Sequence, residues 1–223
     1  IALIGGGQWP KPGEISLAHR GVLFLDELPE FPRSVLEVLR QPLEEGRVTI
    51  SRANSTQAYP ARFLLVAAQN PCPCGYAGDQ EMTCTCSPSQ IQRYSTKVSG
   101  PLMDRLDLVV NVERVKQSQL INGDDSEPTM SVRGRVVSAR KTQAKRFKDD
   151  NISTNNEMNN KQIQKHCVLD SHAKALMEQG INNLNLSARA YMRVLKVGRT
   201  IADLDNSESI STKHLAEALQ YRI

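Results

Sequence analysis

"GVLFLDELPEF", residues 21 to 31, is a short apolar run that stops at two adjacent carboxylates. Its strand-forming residues and turn-forming flanks suit a parallel strand covered on both faces. Asp26 and Glu27 at its tip are the pair that a nucleotide hydrolase sets beside a bound metal and an attacking water. One acid holds the ion, usually through water, and the other orients or deprotonates the nucleophile. The same residues also suit the start of a helix, where the positive end of the dipole favours acids. The pattern alone leaves both open.

Working outward, "FLLVAA", residues 63–68, is a second buried-type strand, ending at Gln69 and Asn70. Between the two strands, "RSVLEVLRQPLEEG", residues 33–46, puts Val35, Leu36, Leu39 and Leu43 on one helical face. Pro42 is expected to kink or end that helix and Gly46 to close it. "RVTISRANSTQAYPAR", residues 47–62, alternates by side around turn residues and reads as a hairpin. "GPLMDRLDLVVNVERV", residues 100–115, reads as a short helix leading into a third apolar strand. From about residue 129 the spacing is helical, with Asp, Ser or Thr near the helix starts. An Asn-rich polar stretch, "DDNISTNNEMNN", interrupts it and need not be ordered. The expected organisation is an α/β part over 1–116, a linker over 117–128 and a helical part over 129–223.

The 223 residues are 39% hydrophobic, enough for a sizeable core. A formal charge of +4 permits contact with a polyanion without requiring it. No apolar run approaches the roughly 20 residues that cross a bilayer. A chain opening on Ile1 rather than Met is expected to be a fragment.

Cys72, Cys74, Cys84 and Cys86 form C-x-C-x9-C-x-C. Four thiolates satisfy tetrahedral zinc, although the usual structural spacing is C-x2-C. Two disulfides or four free thiols are the alternatives, and the clustering favours a structural zinc in a reducing, cytoplasmic setting. Its expected role is to pin the insertion that follows Asn70. The hairpin carries Arg47, Arg52, Arg62 and Tyr59, which could contact phosphates and stack on a base. An edge hairpin kept soluble by charge is the plainer alternative. Asn70 could hold a water near a γ-phosphate. Arg105 is suited to neutralise charge on a phosphoryl group from an adjacent subunit, and Arg189 could reach a phosphate from the helical part. A surface ion pair is the alternative for each arginine.

Five stretches together carry a resemblance: "GGGQWPKPGEISLAHRGVLFLDELPEFPRSVLEVLRQPLEEGRVTISRA", "AAQNPCPCGY", "CSPSQIQRY", "SGPLMDRLDL" and "VGRTIADLDNSESISTKHLAEALQYR". The chain resembles the ComM/YifB family of magnesium-chelatase-like AAA+ ATPases over nearly its whole length. The resemblance implies a partial AAA+ parallel-sheet core with a β-hairpin insertion, followed by a small all-α lid. It implies that Asp26 and Glu27 are the Walker B pair, Asn70 sensor 1, Arg105 the arginine finger and Arg189 sensor 2. It further implies ATP and Mg2+ as cofactors, a hexameric ring with nucleotide between subunits, and DNA branch migration during natural transformation. A metal-chelatase ATPase subunit and a non-catalytic oligomerisation module are the alternatives. The phosphate-cradling G-x-x-x-x-G-K-[ST] is absent from these residues, and "IGGGQWPKPG" lacks the Lys-Ser/Thr pair. In the family that loop lies upstream, so the chain is expected to hold half a nucleotide site and to be inactive alone.

Overall fold

The computed structural model describes residues 3–7, 11–52, 55–79, 81–112 and 127–222. The chain divides into two compact units, Ile1–Leu106 and Asp107–Ile223. Of the linker expected over 117–128, all but the last two positions lie outside the described residues.

In the first unit a small antiparallel pair, β1 (Gly5–Gly6) with β2 (Lys11–Pro12), precedes α1 (Glu14–Leu17). The organising element is a parallel pair, β3 (Val22–Leu25) and β6 (Leu64–Ala67), in register from Val22 opposite Leu64 to Leu25 opposite Ala67. Leu23 and Leu25 point into a core shared with Ile15, Leu28, Leu36, Leu39, Val48 and Ile50. Burial on both faces was expected and is not found. Val22 and Phe24 are each 58% exposed, and Leu64 and Val66 lie open beside them. A continuous apolar run marks a strand that can be buried twice, and among the described residues only the Leu23–Leu25 face is covered.

The helix expected over 33–46 is two helices, α2 (Arg33–Val38) and α3 (Arg40–Glu45), parted at Leu39. The break falls near the residue four before Pro42, whose carbonyl a proline ring crowds and leaves without its N–H partner. Gly46 closes α3 in the left-handed region at φ 66° and donates to the Pro42 carbonyl. A Cβ there would come within 2.7 Å of the Arg62 side chain. The chain then enters the hairpin, β4 (Arg47–Arg52) paired antiparallel with β5 (Ser55–Pro60). Val48 and Ile50 face the core.

Two short helices complete this unit. α4 (Pro88–Ser95) opens with a reciprocal Ser87–Gln90 capping box. α5 (Gly100–Met103) is capped by Ser99, whose hydroxyl also donates to Glu37 at 2.6 Å.

The third apolar strand, expected within 100–115, is a correction over its described part: residues 107–112, in the second unit, form no strand, and 113–115 lie outside the described residues. Val110 and Val112 are 62% and 88% exposed. Val109 donates to the Tyr221 carbonyl at 3.0 Å, but a strand needs a whole ladder, and β-branched residues alone do not create one.

The second unit is helical: α6 (Thr129–Arg146), α7 (Asn160–His166), α8 (Ser171–Leu184), α9 (Ala188–Leu204) and α10 (Thr212–Gln220). Asn159, Asp170 and Ser187 accept first-turn N–H groups of α7, α8 and α9. The core joins Phe147, Met158, Ile163, Met177, Val194, Leu195, Ile210 and Leu215. The Asn-rich stretch is ordered after all. Asn155 opens a 3-10 turn (Asn155–Glu157) and is 1% exposed, bonded to Arg146 and Asp203 at 2.8 Å and to Thr200 at 3.1 Å. Its partner Asp203 is wholly buried between Arg146 and Arg199. Arg199 also donates to the Ser207 and Glu208 carbonyls. This network ties α6, the Asn-rich stretch, α9 and the α9–α10 connection. Among the described residues no helix is long and apolar enough to cross a membrane.

Asp203→Ala would leave two arginines facing each other without their counter-ion. It is expected to cost about 3–5 kcal/mol in urea denaturation, the range for removing one partner of a buried pair.

Candidate functional site

The parallel pairing decides where the acidic tip lies. Ala68, just past β6, donates to the Leu25 carbonyl and accepts from the Leu28 N–H, both at 2.9 Å. These bonds bracket Asp26 and Glu27 at the carboxyl end of β3, the end where open parallel sheets bind ligands. Glu27 is left-handed at φ 48°, ψ 50°, a conformation costly for a residue with a Cβ. Its N–H donates to the Asp26 carboxylate at 2.9 Å, and both side chains are exposed. Leu28–Glu30 then forms one 3-10 turn, too short for the helix that would otherwise account for the acids.

Asn70 lies two residues beyond Ala68 and is exposed. Its backbone N–H donates to the hydroxyl of Tyr94 on α4. Tyr94 is 6% exposed, and its phenol pKa is raised by burial and by the nearby carboxylates of Glu30 and Glu27. The structure therefore brings Asp26, Glu27 and Asn70 to one end of the sheet, with Tyr94 holding the last. Nothing in the sequence marked Tyr94, since a lone aromatic in a polar helix has no distinctive spacing.

Arg105 follows α5 and turns inward. It is 7% exposed, with Nη1 on the Pro101 carbonyl at 2.5 Å and Nη2 on Glu44 at 2.8 Å. In this conformation it is held within its own unit. Arg189 belongs to the other unit, exposed at the second position of α9. Arg193 and Lys196 follow at i+4 and i+7 on the same helical face. Arg193 pairs with Asp107, Lys196 donates to the Asn156 carbonyl at 2.7 Å, and burial lowers the Lys196 pKa.

The four clustered cysteines come together. Sγ distances are 3.4 Å for Cys72–Cys74, 3.7 Å for Cys72–Cys84 and 3.6 Å for Cys74–Cys84, and all four sulfurs lie within 4.8 Å of one another. None is disulfide-bonded. Backbone N–H groups of Tyr76 and Thr85 pull the Cys74 thiol down to about 5.

Of the hairpin residues, Arg47 and Arg62 lie at its root, and the Arg52 side chain lies outside the described residues. Arg47, at the root, pairs with Glu45 at 3.1 Å, and Arg52 is five residues along β4, ~17 Å away at strand rise. Tyr59, opposite Val48, is half-buried against the core, so its ring is committed to packing. Arg62 lies beyond β5, its side chain over Gly46.

The sequence finds its counterparts in a known class. Residues 1–120 match the family of magnesium chelatase, subunit ChlI, and residues 126–222 match the C-terminal family of that subunit. The chain belongs to this magnesium-chelatase-like family. Among its relatives, competence protein ComM of Haemophilus influenzae is 51% identical over 99% of this chain and 42% of that protein. The uncharacterized protein YifB of Escherichia coli K12 is 44% identical over 99% of the chain and 43% of its own length. A magnesium-chelatase subunit ChlI of Bigelowiella natans is 33% identical over 70 residues, 31% of this chain and 19% of its own. The chain thus spans about two-fifths of the length of ComM and YifB.

Glu44→Ala is expected to lower stability by about 1–3 kcal/mol in urea denaturation, less than a fully buried pair because Glu44 is partly exposed. Combined with Arg105→Ala, the two losses should fall short of their sum, since they remove one interaction.

Proposed function

We propose that this chain carries part of the nucleotide site of a ring-forming AAA+ ATPase of the ComM type, which couples ATP hydrolysis to movement along DNA. The parallel register of β3 and β6 carries this reading, because it sets two exposed acids beside Ala68 with Asn70 two residues further. Exposed carboxylate oxygens at a sheet's carboxyl end suit a hydrated Mg2+ ion. Bound with ATP, the ion would neutralise charge on the β- and γ-phosphate oxygens.

Asp26 holds the ion through water in this scheme. Glu27, its backbone fixed by the Ala68 bracket, orients or deprotonates the attacking water. Asn70 holds that water from the adjoining strand end, while Arg189 reaches the phosphate from the helical lid. Arg105 serves the site of the next subunit in a hexamer, and must exchange Glu44 for phosphate to do so. Phosphate-cradling amides and the accompanying lysine are absent from these residues, so the 223-residue chain by itself neither grips ATP nor turns it over.

Similarity to ComM across 99% of the chain, against 31% for a ChlI subunit, favours a DNA-linked role over action on a chelatase partner. That role belongs to the whole protein, which we place in the cytoplasm. The hairpin is the proposed DNA contact. Arg47, Arg52 and Arg62 offer charge to phosphates, whereas Tyr59 acts there only if it leaves the core.

Glu27→Gln in the whole protein should lower the ATPase kcat at least ~100-fold, the scale of a lost general base, with ATP binding retained. Calorimetry of the 223-residue chain should detect no micromolar ATP binding. In the whole protein, alanine at Arg47, Arg52 and Arg62 should flatten the log–log salt dependence of DNA binding by about 0.9 for each arginine on a phosphate. An unchanged slope removes the hairpin from the DNA path.

A further inference from the structure

Among the described residues from Ala68 to Ser87, between β6 and α4, none belongs to a helix or strand. Among its described residues only Cys72 is buried, and Tyr76 and Met82 are 36% and 43% exposed. No described residue of this stretch joins the core of the first unit. A loop of this length without a core of its own needs a staple to repay its ordering entropy.

We infer that Cys72, Cys74, Cys84 and Cys86 bind one zinc ion, and that this ion fixes the strap running from Asn70 to Tyr94. A Zn–S bond of ~2.3 Å sets tetrahedral edges of about 3.8 Å between sulfurs. The measured separations of 3.4, 3.7 and 3.6 Å already approach that figure. An iron–sulfur cluster would hold its thiolates farther apart, around several metal and sulfide atoms. Hydrogen bonds complete the site: Ala77 donates to the Cys72 sulfur at 3.3 Å, and backbone N–H groups also reach Cys74, Cys84 and Cys86. Such donors stabilise metal-bound thiolates and orient them. Gly75, at φ 86°, turns the chain so that Tyr76 and Ala77 aim their N–H groups back at the sulfurs. Binding releases thiol protons to solvent and leaves the ion closed to substrate, as four protein ligands require.

The strap closes on itself. At one end lies Asn70, at the other α4, which begins directly after Cys86 and returns Tyr94 to the Asn70 backbone. Zinc is thus a positioning device for Asn70. That consequence matters for hydrolysis only under the ATPase reading, whereas the metal site stands apart from it.

The test measures metal in protein purified without chelator, by mass spectrometry. One zinc per chain is expected, falling below about a tenth in the Cys84→Ser/Cys86→Ser variant. Should the variant fail to fold, Co2+ exchanged into the unaltered protein should give the absorption of a tetrahedral thiolate site. A stripped sample should be cut by protease within 70–94 at least ten times faster than the zinc-loaded one. Protein without metal, protein holding iron, or a variant that keeps its zinc would overturn the site. Equal protease resistance with and without zinc would overturn the positioning role. Zinc retained in a whole protein without ATPase activity would count against the ATPase reading and leave the metal site standing.

Discussion

Four residue pairs between β3 and β6 set the geometry of the first unit. Their register turns Leu23 and Leu25 into the core and places the chain just after Leu25 against Ala68. A slip of one residue would reverse every side chain on the pair and move the acidic tip away from Asn70. The left-handed turn at Glu27 is tolerated because Ala68 holds the backbone on both sides of it. Strain of this kind persists only where surrounding bonds over-determine it.

Each unit also buries charge and solves the cost locally. In the helical unit, Asp203 answers two arginines and an asparagine, so four separate stretches must arrive together. In the α/β unit, Arg105 leans on Glu44 and a carbonyl, a lighter arrangement with one acid partly in solvent. A fully enclosed pair resists rearrangement, whereas a rim-exposed one can exchange its partner for another anion.

Local signals in the sequence were dependable where the physics is local. Asp170 and Ser187 cap helices as their side chains predispose, Gly46 closes α3, and the 47–62 alternation folds as a hairpin. Errors arose wherever a neighbour had to be supplied. Residues 107–112 have strand composition but no ladder, and Phe24 has a core-type side chain with no covering layer. Asn155 was read as polar loop because its role depends on Asp203, 48 residues away.

Residue chemistry and short-range spacing were settled by the sequence: two acids after an apolar run and four thiols in pairs. Only the tertiary structure decided which of these meet. It drew four sulfurs into one shell, tied Asn70 to Tyr94 and turned Arg105 inward. Those outcomes depend on closing loops of tens of residues, and a closure is settled by burial and pairing across the whole unit. A chain's local pattern carries no term for a contact whose partner it does not adjoin.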